Sequence, residues 1–90
     1  MSGQEATGSF LTISVKTMMG ETHTFTVTES ITVFQLKMMI HLELRMFPDQ
    51  QVLMYQEEEL DDDDTLDSYN IQDGSTINLF PNLASGFVLQ

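Results

Sequence analysis

Apolar and polar side chains alternate from Leu11 to Thr17, with Leu11, Ile13 and Val15 on one face and Thr12, Ser14 and Lys16 on the other. This is the pattern of a half-buried strand. Thr22 to Thr28 alternates again through Phe25 and Val27, and Met18, Met19 and Gly20 supply a short turn in which Gly20 can take positive φ. The two segments read as a hairpin. The period then lengthens over TVFQLKMMIHLEL, Thr32 to Leu44, where Val33, Leu36 and Ile40 share one side of a helix, with Leu44 and the stem of Lys37 at its edge. Phe34, Met38 and Leu42, four residues apart, make a second apolar stripe about 180° away by helical geometry. A surface helix needs one apolar face, so the second calls for cover from outside the visible chain. Thr32 is the expected N-cap, with Ser30 as a competitor, and Pro48 forces the helix to finish near Leu44 or Arg45 because it drives Phe47 out of the α region.

Alternation returns at Gln51 to Tyr55, with Leu53 and Tyr55 on one face and Val52 and Met54 on the other. Leu66, Tyr69 and Ile71 then read as anchors of a short helical turn. Asp73-Gly74 marks a tight turn, and Thr76 to Phe80 is the closing strand, ended by Pro81. Met1 to Ser9 has no periodicity and reads as a disordered leader, so the fold is expected to start near Phe10 and run to residue 82, with 83–90 a flexible tail or the start of a linker. A hairpin, a helix and later short strands in one sheet make an α+β domain with the helix on one face, although the pattern leaves the strand order open.

Ninety residues suffice for one small core. No secretory leader or membrane-length apolar run is visible, and with no cysteine there is neither a disulfide framework nor a thiolate metal site. An intracellular protein, cytoplasmic and/or nuclear, is the expectation. Charge narrows the partners further: three bases, Lys16, Lys37 and Arg45, stand against fourteen acids, for a net charge of −11. Nucleic acid and anionic membranes are therefore not expected partners. Glu57, Glu58, Glu59, Asp61 to Asp64 and Asp67 form one acidic block, read as a solvated loop that attracts basic surfaces.

That block lacks the spacing and central glycine of a calcium loop, and neither His23 nor His41, both read as surface residues, has a second metal ligand at ligand spacing. No nucleophile elbow is present and nothing marks a cleft. The chain is expected to be no enzyme and to need no cofactor or metal.

VKT at Val15 to Thr17 with Gly20, PDQQ at Pro48 to Gln51 followed by Leu53, Thr65-Leu66, YNIQ at Tyr69 to Gln72 and Ser75-Thr76 resemble the ubiquitin family in order and spacing, ungapped from Leu11 to about Gly86. The resemblance implies the ubiquitin-like β-grasp: a mixed four- to five-stranded sheet with one helix packed across it. It also implies that Lys37 pairs with Asp62 as a structural contact. By the same resemblance the family's apolar binding patch maps onto Met18, Met54 and Phe80, with Asn78 beside them. The positions of its basic rim hold Val52, Glu58 and Asn82. The implied partners are proteins: ubiquitin-binding helices, proteasomal receptors or a segment of the same chain. Those with Lys or Arg beside an apolar anchor are favoured.

The family's conjugated members end in an exposed Gly-Gly, whereas Ala84 to Gln90 stands here. Its chain-forming lysines are matched by Glu21, Met39, Glu43, Glu58 and Asp73. A non-conjugating interaction domain, part of a larger protein, is the reading. The alternative is a modifier precursor processed after Gly86. LFPNLASGF, from Leu79, is also similar to the segment after the ubiquitin-like domain of the midnolin family, which is proteasome-linked and nuclear. Phe34, Met38 and Leu42 fall on what is a polar outer helix face in ubiquitin, so that stripe is an added surface, for weak self-association or an intramolecular cover.

Overall fold

The structure, a computed structural model, describes residues 10–82. The expected leader, the tail and Gly86 lie outside the described residues. Phe10–Thr17 (β1) and Thr22–Thr28 (β2) form the antiparallel hairpin, in register from Phe10 opposite Thr28 to Lys16 opposite Thr22. Gly20 closes the turn at φ 88°, a conformation that glycine adopts without a Cβ penalty. Leu11, Ile13, Val15, Phe25 and Val27 all face inward and are buried.

Val33–Leu44 (α1) crosses that inner face and buries Val33, Leu36 and Ile40 completely. Its start is a reciprocal cap: the Thr32 hydroxyl accepts from the Gln35 N–H at 3.1 Å, and the Gln35 side chain accepts from the Thr32 N–H at 2.9 Å. Ser30 does not compete, its hydroxyl lying 3.4 Å from that of Thr28. At the other end Arg45 turns left-handed at φ 62°, and Phe47 is extended before Pro48. A 3₁₀ turn, Pro48–Gln50, leads into Gln51–Tyr55 (β3), which pairs with the two-residue strand Glu58–Glu59 (β4). A second 3₁₀ turn, Asp67–Tyr69, precedes Thr76–Pro81 (β5).

The sheet order is β2-β1-β5-β3-β4. The last strand lies in the middle, parallel to β1 and antiparallel to β3, so the sheet is mixed and five-stranded. This is the α+β β-grasp arrangement. Two boundaries differ from the periodicity reading. Glu58 and Glu59, placed in a loop by their charge, form β4. Pro81, taken as the end of the closing strand, is its last paired residue, opposite Gln51. It lies beyond the β1 ladder, which stops at Leu79, so its missing N–H disrupts no pairing on that side.

The acidic segment also differs from a purely solvated loop. The carbonyls of Asp64 and Asp62 accept from the first-turn N–H groups of Val33 and Phe34 at 2.8 and 3.1 Å. Helix α1 cannot satisfy those donors internally. Thr32 and Thr65 form a bridge, and Leu66 and Asp67 donate to the carbonyls of Ile31 and Glu29. The Lys37 ammonium, almost fully buried, reaches the Asp62 carboxylate at 2.6 Å. Tyr69 closes the loop, its hydroxyl accepting from the Asp61 N–H at 2.7 Å and donating to the Asp64 carboxylate at 3.0 Å. Its phenol is pushed above its ordinary pKa by desolvation first; the Asp61 N–H opposes this, while the Asp64 and Asp61 charges add to it.

Gln51 supplies a second tie, between the middle of α1 and the segment after its C-cap. It is buried on the face of Leu53, and its amide nitrogen donates to the carbonyls of Lys37 and Met46, both at 2.8 Å. Both histidines are half-buried rather than on the open surface. His41 stacks on Phe47 with centroids 5.0 Å apart, and His23 lies between the carboxylates of Glu21 and Glu43 at 3.5 and 3.9 Å.

Two stability outcomes are expected. Asp62→Asn leaves a buried ammonium with a neutral partner; because Asp62 is half exposed, the cost is about 1–2 kcal/mol rather than the ~3–5 kcal/mol of a fully buried broken pair. It should appear as a lower urea midpoint at unchanged slope. The β3–β4 turn holds Gln56 and Glu57 at φ 52° and 71°, where non-glycine residues are strained. Gln56→Asn with Glu57→Gly should raise stability by about 1 kcal/mol, since Asn-Gly suits a two-residue turn with positive φ at both positions.

Candidate functional site

The pleat of the sheet assembles the candidate patch. Residues of one parity on β3 and β5 (Gln51, Leu53, Ile77, Leu79) are buried under α1. Val52, Met54, Asn78 and Phe80 therefore project from the opposite face. Cross-strand register sets them side by side: Val52 is opposite Phe80, and Met54 is opposite Asn78. Asn78 in turn neighbours Lys16 on β1, and Met54 neighbours Glu59 on β4. One row across the outer face thus reads Lys16, Asn78, Met54, Glu59, and the row beside it contains Phe80 and Val52. Phe80 is 40% exposed, and Val52, Met54 and Asn78 are half-buried. Four of the five expected binding residues are contiguous.

Met18, the fifth, is 67% exposed in the β1–β2 turn, one position beyond the Thr17–Leu79 pair that ends the β1–β5 ladder. It also lines an open groove of about 450 Å³ at the end of the sheet, with Met19, Leu44, Met46, Leu79 and Pro81. Periodicity could not reveal this groove, because it depends on where α1 ends relative to a turn distant in sequence. A second open cleft, about 410 Å³, is polar and includes Lys37, Gln51, Asp61 and Asp62 among its walls. The expectation of no cleft is thus corrected; among the described residues no group of three His, Asp or Glu side chains is placed to hold a metal ion.

The rim around the patch is acidic. Glu59 adjoins Met54 directly, Glu58 lies opposite Tyr55, and the strained β3–β4 turn holds Glu57. Lys16 is the basic residue in line with the patch. Asn82 at the end of β5 is anchored rather than presented, its N–H donating to the Gln50 carbonyl at 2.8 Å.

The second candidate surface lies on the other side of the domain. Phe34, Met38 and Leu42 are 46%, 42% and 75% exposed along the outer face of α1. Met39, close to them in sequence, packs partly against the core instead. The sheet patch and the helix stripe cap opposite faces of a two-layer domain.

Comparison with known proteins places this geometry. The model of the ubiquitin family matches residues 13–83. The chain is 40% identical over 67 residues to the large proline-rich protein bag6 of Xenopus tropicalis, covering 74% of this chain and 6% of that protein. It is 34% identical over 80 residues to the midnolin homolog of Drosophila melanogaster, covering 89% of this chain and 7% of that protein. Bag6-A of Xenopus laevis is 39% identical over 67 residues, 74% of this chain and 6% of its own length. The chain spans less than a tenth of each of these relatives. No helix among the described residues is long and apolar enough to cross a membrane.

Since the helix stripe contributes little to the core, replacing Phe34, Met38 and Leu42 together by Glu should leave the fold intact. The expected cost is about 1–2 kcal/mol, the sum of three surface substitutions, two of them half-covered. Circular dichroism and a cooperative melt check this, and loss of cooperative unfolding would mean the stripe belongs to the core.

Proposed function

This chain belongs to the ubiquitin family, and from that premise we propose that it is a non-catalytic interaction domain of a larger protein. It binds partners through Val52, Met54, Asn78 and Phe80 on the outer sheet face, with Met18 at the edge. The observation that carries the reading is the register that sets Val52, Met54 and Phe80 next to one another, with Asn78 beside them, on a face that the core does not use. Flexible, polarizable methionines suit contact with more than one partner. The partners proposed are ubiquitin-binding helices and proteasomal receptor domains, and an intracellular setting, cytoplasmic and/or nuclear, follows from them.

Charge selects among such partners. With a net charge of −11 and Glu59 opposite Met54, the surface favours a partner that carries Lys or Arg next to its apolar anchor. An acidic partner meets like charge at the same rim. The helix stripe Phe34, Met38 and Leu42 is proposed as a second contact surface, for weak self-association or an intramolecular cover.

Titration of the labelled chain with a ubiquitin-associated helical domain and with a proteasomal receptor domain tests this reading. Chemical-shift changes should cluster at Met18, Val52, Met54, Asn78 and Phe80. Met54→Ala or Phe80→Ala should weaken binding about tenfold, a loss of roughly 1.4 kcal/mol, with the melting temperature little changed. Binding should also weaken as salt rises. Shifts confined to other faces would sink the proposal.

A further inference from the structure

The exposed stripe on α1 has ends of opposite charge. No acid occurs between Ser30 and Leu42, and Glu43 lies on the flank of the helix, 3.9 Å from the His23 ring. Past Leu42 stands Arg45, exposed and with no carboxylate partner among the described residues. Helical geometry sets it within about 20° of Phe34 around the axis, so it continues the stripe. At the other end the carbonyls of Asp62 and Asp64 accept from the N–H groups of Phe34 and Val33, which brings the exposed Asp63 and Asp64 to the helix start. We propose that the stripe is the interface of a two-fold, antiparallel dimer of this chain, in which Arg45 of each copy meets Asp63 and Asp64 of the other. This rests on the reading of Phe34, Met38 and Leu42 as a contact surface and names its occupant.

Spacing selects a second copy. Met38 is the middle of the stripe, with Phe34 and Leu42 four residues to either side. About a two-fold axis at Met38, antiparallel helices set Met38 against its own copy and Phe34 against Leu42 of the other. At 1.5 Å per residue, Arg45 lies about 10 Å from Met38 along the axis, and Val33 about 8 Å on the other side. Each guanidinium therefore arrives just past Val33 of the second copy, where the acidic loop is hydrogen-bonded. Apolar positions symmetric about one point, with opposite charges at the two ends, make a surface complementary to itself. A uniformly basic partner meets Arg45 with like charge, and a uniformly acidic one meets Asp63 and Asp64 in the same way.

Phe47, 60% exposed and stacked on His41, widens the apolar area at the Arg45 end. One face of a twelve-residue helix still falls short of the ~1,200 Å² that a stable interface buries, and each copy carries −11. The dimer is accordingly weak and depends on concentration.

Charge reversal tests the arrangement, with the dimer Kd read from sedimentation and from concentration-dependent chemical shifts of the full chain. Arg45→Glu and Asp63→Lys each set like charges at both symmetric contacts, so each alone should raise the dimer Kd about tenfold. An equimolar mixture of the two should associate to within about twofold of the unsubstituted chain, because both contacts of the mixed dimer attract again. Net charge alone predicts otherwise, since Asp63→Lys takes the chain from −11 to −9 and would tighten self-association. The chain has no cysteine, so a single Met38→Cys reports the axis. In oxidised glutathione it should form the disulfide dimer about fivefold faster than Met19→Cys, although Met19 is 86% exposed and Met38 42%. Stripe signals that shift with concentration but ignore both charge reversals would overturn the two-fold arrangement and leave the stripe a contact surface. Stripe signals unchanged up to about millimolar chain would remove the dimer altogether. The sheet patch is read separately: the Arg45→Glu chain should bind a proteasomal receptor domain as the unsubstituted chain does, so either proposal can fail without the other.

Discussion

The first turn of α1 rests on an acidic loop that is remote from it in sequence, and most of the structure depends on that contact. A twelve-residue helix is marginal by itself, and its leading N–H groups have no partners within it. Here Val33 and Phe34 donate to the carbonyls of Asp64 and Asp62, Thr32 and Gln35 cap each other, and the buried Lys37 ammonium meets the Asp62 carboxylate. The positive end of the helix dipole favours the same acids. An arrangement that anchors the helix start also gathers carboxylates that would otherwise repel one another. Gln51 ties the middle of α1 to the segment that follows it through the carbonyls of Lys37 and Met46, which adds a second anchor for the helix over the sheet.

What could be read from the sequence follows from the range of each interaction. Alternation and helical spacing are local, and they identified the buried faces of β1, β2, β3 and α1 down to Leu11, Ile13, Val15, Val33, Leu36 and Ile40. Strand order is not local. Nothing around Thr76 to Pro81 says that this strand inserts between β1 and β3, and it was the family resemblance that implied the β-grasp. Polar residues misled for a related reason. Glu58 and Glu59 look like loop because strands disfavour acids, yet at a two-residue edge strand their side chains stay in water. Gln51 gives no apolar signal, yet it is 2% exposed, because its amide nitrogen is satisfied by carbonyls that only the tertiary fold supplies.

The candidate site was legible to the same degree. Parity places Val52 and Met54 opposite Leu53 from sequence alone, but their adjacency to Phe80 and Asn78 needs the β3–β5 register. Met18 was assigned by resemblance to the outer face, and the structure places it at the boundary between that face and the groove. The groove could not be anticipated, since it is bounded by the end of α1, a hairpin turn and the last strand together. The histidines were misjudged because exposure depends on neighbours such as Phe47 and Glu43 that come into place only on folding.

Net charge bears on the two proposed apolar contact faces. Two copies that approach through Phe34, Met38 and Leu42 bring −11 against −11, whereas a partner with a basic rim gains from the same field. Screening length is about 10 Å at 0.1 M salt. Like-charge repulsion therefore weakens self-association most at low ionic strength, the condition that most strengthens a basic partner on the sheet patch. The two proposed contacts would respond to salt in opposite directions. An excess of acids that contributes little to the core thus biases an apolar surface away from its own copies and toward proteins of opposite charge.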